Sequence, residues 1–207
     1  MPQTIFTIGH STHSHKFLVN LLLRQDVTAL CDVRSVPYSR LNPQFNRETL
    51  KEAIRPHGIK YVFLGKELGA RSEDPNCYEN GKVKYDRLAR TELFRHGLER
   101  VQKGIRKYRL ALMCAEREPL ECHRTILVAR HLLALGIDVR HIHANGAVET
   151  QAEALMRLMR ILNLSEEDMF RSREDLFAEA YLQQEKRIAY DAARDVRPNG
   201  STSKAAE

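Results

Sequence analysis

Residues 110–136 read LALMCAEREPLECHRTILVARHLLALG. An apolar run of strand length ends at Cys114, and a mixed, largely charged connection follows. CHR (122–124) then opens a second apolar run of helical length that stops before Gly136. A continuous apolar run suits a strand buried on both faces. A glycine after the second run suits a helix that ends in a left-handed residue. A further run, DVRHIHA (138–144), follows almost at once. Parallel strands need a crossover between them, and this helix supplies it, so the stretch reads as one unit of a parallel sheet.

The same alternation extends in both directions. TIFTI (4–8), VTALCDV (27–33), IKYVFL (59–64) and YRLALMC (108–114) read as strands. Between them Ser14 caps HKFLVNLLLRQ, Asn46 caps RETLKEAIRPH with Gly58 behind it, and one helix is expected over roughly 84–104. Residues 65–83 carry glycines, a proline and asparagines and read as a long connection, expected to serve as a lid. The fold class is therefore α/β: a three-layer open, mostly parallel sheet with helices on both faces, over residues 1–148, plus C-terminal helices. Within 149–194, ETQAEALMRLMRILNL is amphipathic, and SEEDMF has the form of a capping box that starts a longer helix at Ser165. This extension is expected to pack on the domain, with a homodimer through the same helices as the alternative. The small, polar stretch 195–207 is expected to be disordered.

At 207 residues the chain is long enough for one real core. No apolar stretch is long enough to span a bilayer, so no membrane partner is expected. Cys31, Cys77, Cys114 and Cys122 show no close-paired spacing, which favours reduced thiols and a cytoplasmic protein. The net charge of +6 admits an anionic small molecule or nucleic acid as partner, although 33 basic residues are mixed with 27 acidic ones. Dinucleotide, P-loop and zinc-finger spacings are absent, and no cofactor is assigned.

Ligands of open parallel sheets bind beyond the carboxyl ends of the strands. Polar residues fall there in this chain. GHS (9–11) follows the first strand, DVR (32–34) closes the second with Tyr38 just beyond, and CAER (114–117) leads to CHR. Gly9 would allow a ligand close to the backbone. His10, Asp32, Glu116 and Cys122 are the catalytic candidates: an imidazole that titrates near neutrality, two carboxylates that could take different roles, and a thiol at a helix entrance. Ser11, Arg34, Tyr38, His123 and Arg124 are the substrate-binding candidates, with Arg34 and Arg124 gripping an anion. For Asp32 and Arg34 the competing reading is an ion pair that braces the sheet. A phosphatase-type loop is excluded, because Leu120 stands where its arginine would follow Cys114. A metal set of His10, Asp32, Cys122 and His123 lacks ligand-type spacing, so no metal ligand is assigned.

TIGHS, DVRSVPYS, YVFLGKELGA, LMCAEREPLECHR and VRHI, taken together between residue 4 and about residue 142, resemble the family catalogued as domain of unknown function 488. The resemblance implies an α/β fold whose motifs gather in one cleft, with His10, Ser11, Asp32, Arg34, Glu116, Cys122, His123 and Arg124 as its residues. Gly69 is followed here by Ala70, where members often carry a glycine pair. The leading reading is an enzyme acting on an anionic, nucleotide or nucleic-acid-derived, substrate. The alternatives are a nucleic-acid-binding or regulatory module without catalysis and, ranked lower, a metal- or cofactor-binding sensor.

Overall fold

Ala29–Asp32 and Leu110–Cys114 are buried at every residue, as doubly covered strands must be, and they lie side by side in the sheet. The structure is a computed structural model that describes residues 3–165 and 169–192. In chain order the elements are β1 (Thr4–Gly9), α1 (His15–Leu23), β2 (Ala29–Asp32), α2 (Arg47–Ile54), β3 (Lys60–Phe63) and α3 (Gly65–Leu68). A hairpin of β4 (Tyr78–Glu79) and β5 (Lys82–Val83) follows, then α4 (Tyr85–Ala89), α5 (Glu92–Ile105) and β6 (Leu110–Cys114). A π-helical turn, Arg124–Ala129, runs into α6 (Arg130–Ala134); β7 (Asp138–Ile142), β8 (Val148–Thr150), α7 (Gln151–Ile161) and α8 (Arg173–Ile188) complete the chain.

The sheet has six strands in the order β3-β2-β6-β1-β7-β8, parallel except for β8 at one edge. Leu18, Leu21 and Leu22 of α1 and Leu50 and Ile54 of α2 pack with Ile8, Leu30 and Met113 on one face. Phe94 and Val101 of α5, Leu132 of α6, Leu155 and Met159 of α7 and Leu176 and Ala180 of α8 share the core of the other. The α/β, three-layer reading is thus correct. The chain places β2 and β3 on one side of β1, then returns to insert β6 beside β1 and carries β7 to its far side. That reversal falls between β1 and β6, where Gly9 and Cys114 are in register.

Several elements differ from the sequence reading. The helix expected over 84–104 is two, because the Thr91 side chain accepts from the Phe94 N–H and restarts the chain as α5. Residues 65–83 are built structure and not a long irregular connection. Asn80 and Gly81 both take positive φ, as a two-residue hairpin turn demands, and pair β4 with β5. Tyr190 accepts from the Val83 N–H and Gly81 from the Ala192 N–H, which ties this hairpin to the chain just beyond α8. Asn46 precedes α2 without capping it through its side chain; its Oδ1 accepts from the Ser39 N–H and braces the preceding loop. The last helix starts at Arg173 and not at Ser165; its capping box is Ser172 with Asp175. Residues 195–207 lie outside the described residues.

Candidate functional site

Neighbouring residues of a strand point to opposite faces, and this divides the polar residues at the carboxyl edge into two groups. Asp32 is in register with Met113 and faces the α1/α2 layer, whereas Cys114 faces the other layer.

In the first group Asp32 is fully buried and its carboxylate is saturated. Oδ1 accepts from the Arg34 backbone N–H and Nε, and Oδ2 accepts from Arg34 Nη2 at 2.6 Å and from the Tyr61 hydroxyl at 2.7 Å. Arg34 Nη2 also donates to the Phe45 carbonyl, and Nη1 donates to His10 Nε2 at 3.1 Å. His10 stacks on Phe45, and its Nδ1–H donates to the Ser11 carbonyl. Burial, with the Arg34 charge beside it, lowers the His10 pKa from 6.5 to about 4, against the pull of the Ser11 bond, so the ring is neutral at pH 7. The bidentate grip that Arg34 was expected to offer a substrate is therefore engaged by Asp32. Among the described residues, four of its five N–H donors have protein partners and one on Nη1 has none.

The second group forms where β6 ends and the π-helical turn begins. The Cys122 sulfur lies 2.9 Å from Glu116 Oε2 and 3.8 Å from His123 Nδ1, and the Cys114 sulfur lies 3.7 Å from the same nitrogen. His123 Nε2–H donates to the Val33 carbonyl at 3.1 Å, which aims Nδ1 at the two sulfurs. Burial alone would raise the Cys122 thiol. The hydrogen bond from Cys114 and the charges of Arg124 and His123 outweigh it and hold Cys122 well below the usual thiol range. Burial and the Cys122 charge raise the Glu116 carboxyl, whose Oε2 lies against the Cys122 sulfur. His123 is raised despite its burial by the same Cys122 charge, and burial and Cys122 raise Cys114.

Arg124 has no exposed surface. Its Nη1 and Nη2 donate to the carbonyls of Glu116 and Arg117, so it holds the 116–117 loop from behind and presents nothing to a ligand. Gly9 is explained by the same loop: a Cβ there would overlap the Glu116 carbonyl oxygen, so the close approach is by this chain's own backbone and not by a ligand. Ser11, with φ 48°, donates its N–H to the Ala115 carbonyl and fastens the GHS turn to that loop.

A cleft of about 520 Å³ opens beside both groups. Of the sequence candidates it is lined by Arg34, Tyr38, Glu116 and His123; His10, Asp32, Cys122 and Arg124 lie behind its wall, and Ser11 is outside. A hollow of about 600 Å³ between α4, α6 and α8 is larger but gathers none of these residues. Residues 14–131 match the family described as Domain of unknown function DUF488. The chain belongs to the DUF488 family. No curated protein and no solved structure matches it. The DUF488 match covers Asp32, Arg34 and the whole Cys114–Arg124 segment, while the GHS turn precedes it.

The cleft of this DUF488 chain has further walls that sequence reasoning missed. Ser35, Arg71, Tyr85, Glu121, Ile188 and Tyr190 also line it. Ser35 follows DVR directly and its hydroxyl accepts from the Arg71 N–H, so proximity to that motif was a usable signal. Nothing local in the sequence ties Tyr190 to residues over 70 positions earlier. Cys114 was read as a strand end, but the register of β6 turns its sulfur toward Cys122 and His123.

Proposed function

We propose that this chain is an enzyme that acts on an anionic substrate, of nucleotide or nucleic-acid-derived type, bound in the cleft at the carboxyl ends of β2 and β6. The observation that carries the reading is the meeting, on one cleft wall, of Arg34, with one donor unengaged among the described residues, and Glu116 with its raised carboxyl. Asp32 and His10 position Arg34 and are not themselves acid–base groups in this reading, since the carboxylate is saturated and both imidazole nitrogens are hydrogen-bonded. Glu116 donates a proton to the departing oxygen as its bond to the anionic group breaks and water takes its place, and His123, whose charge lowers the Glu116 carboxyl, offsets the negative charge left behind. A donor fixed by a buried carboxylate binds an anion with little reorganisation.

The test uses a panel of nucleoside monophosphates, short oligonucleotides and inorganic phosphate, read by thermal shift and by product formation. One phosphate-bearing probe should stabilise the protein and be turned over. Glu116→Gln should remove turnover by about 100-fold or more while keeping binding, since it deletes the proton and a negative charge but no donor to the anion. Turnover that survives Glu116→Gln, or a panel in which nothing binds, would sink the reading.

A further inference from the structure

We infer that Cys114, Glu116, Cys122 and His123 form a site for a single zinc-type metal ion, opening on the cleft. One ligand atom from each of the four residues lies within 4.8 Å of all the others. Zinc–sulfur bonds of about 2.3 Å and zinc–nitrogen bonds of about 2.0–2.1 Å, set at a tetrahedral angle, separate sulfur and nitrogen by about 3.6 Å. The two sulfur–nitrogen separations here are 3.7 and 3.8 Å. Both sulfur–nitrogen separations match a tetrahedral shell, while the 2.9 Å contact between the Cys122 sulfur and Glu116 Oε2 would open by about 0.6 Å on binding.

Three further features belong to a metal site and are not required by a packed core. His123 donates Nε2–H to the Val33 carbonyl, the outer-shell bond that orients a ligating imidazole and directs Nδ1 inward. The Arg124 backbone N–H points at the Cys122 sulfur at 3.4 Å, as N–H groups do toward a ligating thiolate. The Arg124 guanidinium is completely buried and, among the described residues, bonds only backbone carbonyls; its Nε has no partner. A buried cation without a carboxylate needs negative charge nearby. Two thiolates and a carboxylate around a divalent ion leave a net charge of about −1, which supplies it.

The donor set selects the metal. Two sulfurs, a nitrogen and an oxygen suit zinc and reject magnesium and calcium, which require shells of oxygen. Cys122 lies behind the cleft wall, Cys114 and His123 line the cleft as buried residues, and Glu116 is the one exposed member of the four. Glu116 is thus the ligand an incoming water or anion would displace. A metal held by Glu116 would set a positive charge opposite Arg34, and proton donation by Glu116 would then belong to the metal-free protein.

The experiment uses the full chain, reduced with a phosphine and stripped with a chelator, then titrated with Zn2+ or Co2+ alone. One equivalent should bind, and cobalt should give near-ultraviolet sulfur-to-metal charge-transfer bands with intense tetrahedral visible bands. Cys122→Ser and Cys114→Ser should each weaken zinc by more than about 100-fold, beyond what outer-shell changes cost, and Glu116→Gln by about tenfold. Absence of stoichiometric binding, or cobalt bound without sulfur bands, overturns the inference; the wild-type spectrum decides this even if a cysteine variant fails to fold. The inference stands on the cluster and not on the reading of the cleft. Metal binding without turnover leaves it intact, and turnover by the stripped protein leaves the cleft reading intact.

Discussion

At the scale of single residues the Asp32–Arg34 pair shows how one motif can carry two readings. Two residues apart at a strand end, they invited both a catalytic and a structural reading, and the buried, bidentate bond between them is the structural one. Arg34→Ala leaves a buried carboxylate unpaired and should cost about 3–5 kcal/mol in urea unfolding. Asp32→Leu combined with Arg34→Met should recover much of that loss. Gly9→Ala forces backbone apart and should cost about 1–3 kcal/mol while shifting the Glu116 loop. His10 and His141 are both lowered, chiefly by burial, from 6.5 to about 4. Their neutral folded forms therefore contribute stability that is complete above pH 6.5 and is lost as the pH falls toward 4, on the order of 3 kcal/mol for each residue. Urea midpoints that stay flat between pH 7 and pH 5 would contradict this.

At the scale of elements, apolar runs and end signals were legible and interruptions were not. β2, β6 and α1 could be read because a doubly buried strand is apolar throughout and a Ser cap sits at a fixed offset from its helix. The break between α4 and α5 was missed, since Thr91 sits inside a run of helix formers and its cap bond appears only when the backbone turns. Thr91→Ala should lower stability by about 1 kcal/mol in thermal unfolding, the ordinary worth of such a cap. The Asn80–Gly81 hairpin signal was present in the sequence and passed over as loop composition. The π-helical turn had no legible signal. Its residues Arg124–Ala129 are all buried because the turn lies between the sheet and α8, and the Cys122 carbonyl just before it accepts from both Thr125 and Ile126, the tighter bonds from which the winding then widens.

At the scale of the molecule, no helix among the described residues is long and apolar enough to cross a membrane. The strand-end rule located the candidate site because parallel topology directs every carboxyl end to one edge. It could not say which side chains reach solvent, since that depends on register and on what is packed above. Leu176, Ala180 and Tyr181 bury α8 in the same core as the sheet, and Tyr190 at its end borders the cleft. Ending the chain after residue 164 should therefore expose core and lower the melting temperature by about 10 °C or more; an unchanged melting temperature would show that α8 is dispensable.

The stitching of β5 to Tyr190 has a consequence for how the family diversifies. The family match ends at residue 131, so the mouth of the cleft is partly built by chain that lies beyond the matched segment. A relative that shares the matched segment but continues differently would keep the Cys114–His123 cluster and frame it with another aperture. In such a lineage the chemistry is inherited with one stretch of the gene, and the choice of what enters is free to drift with another.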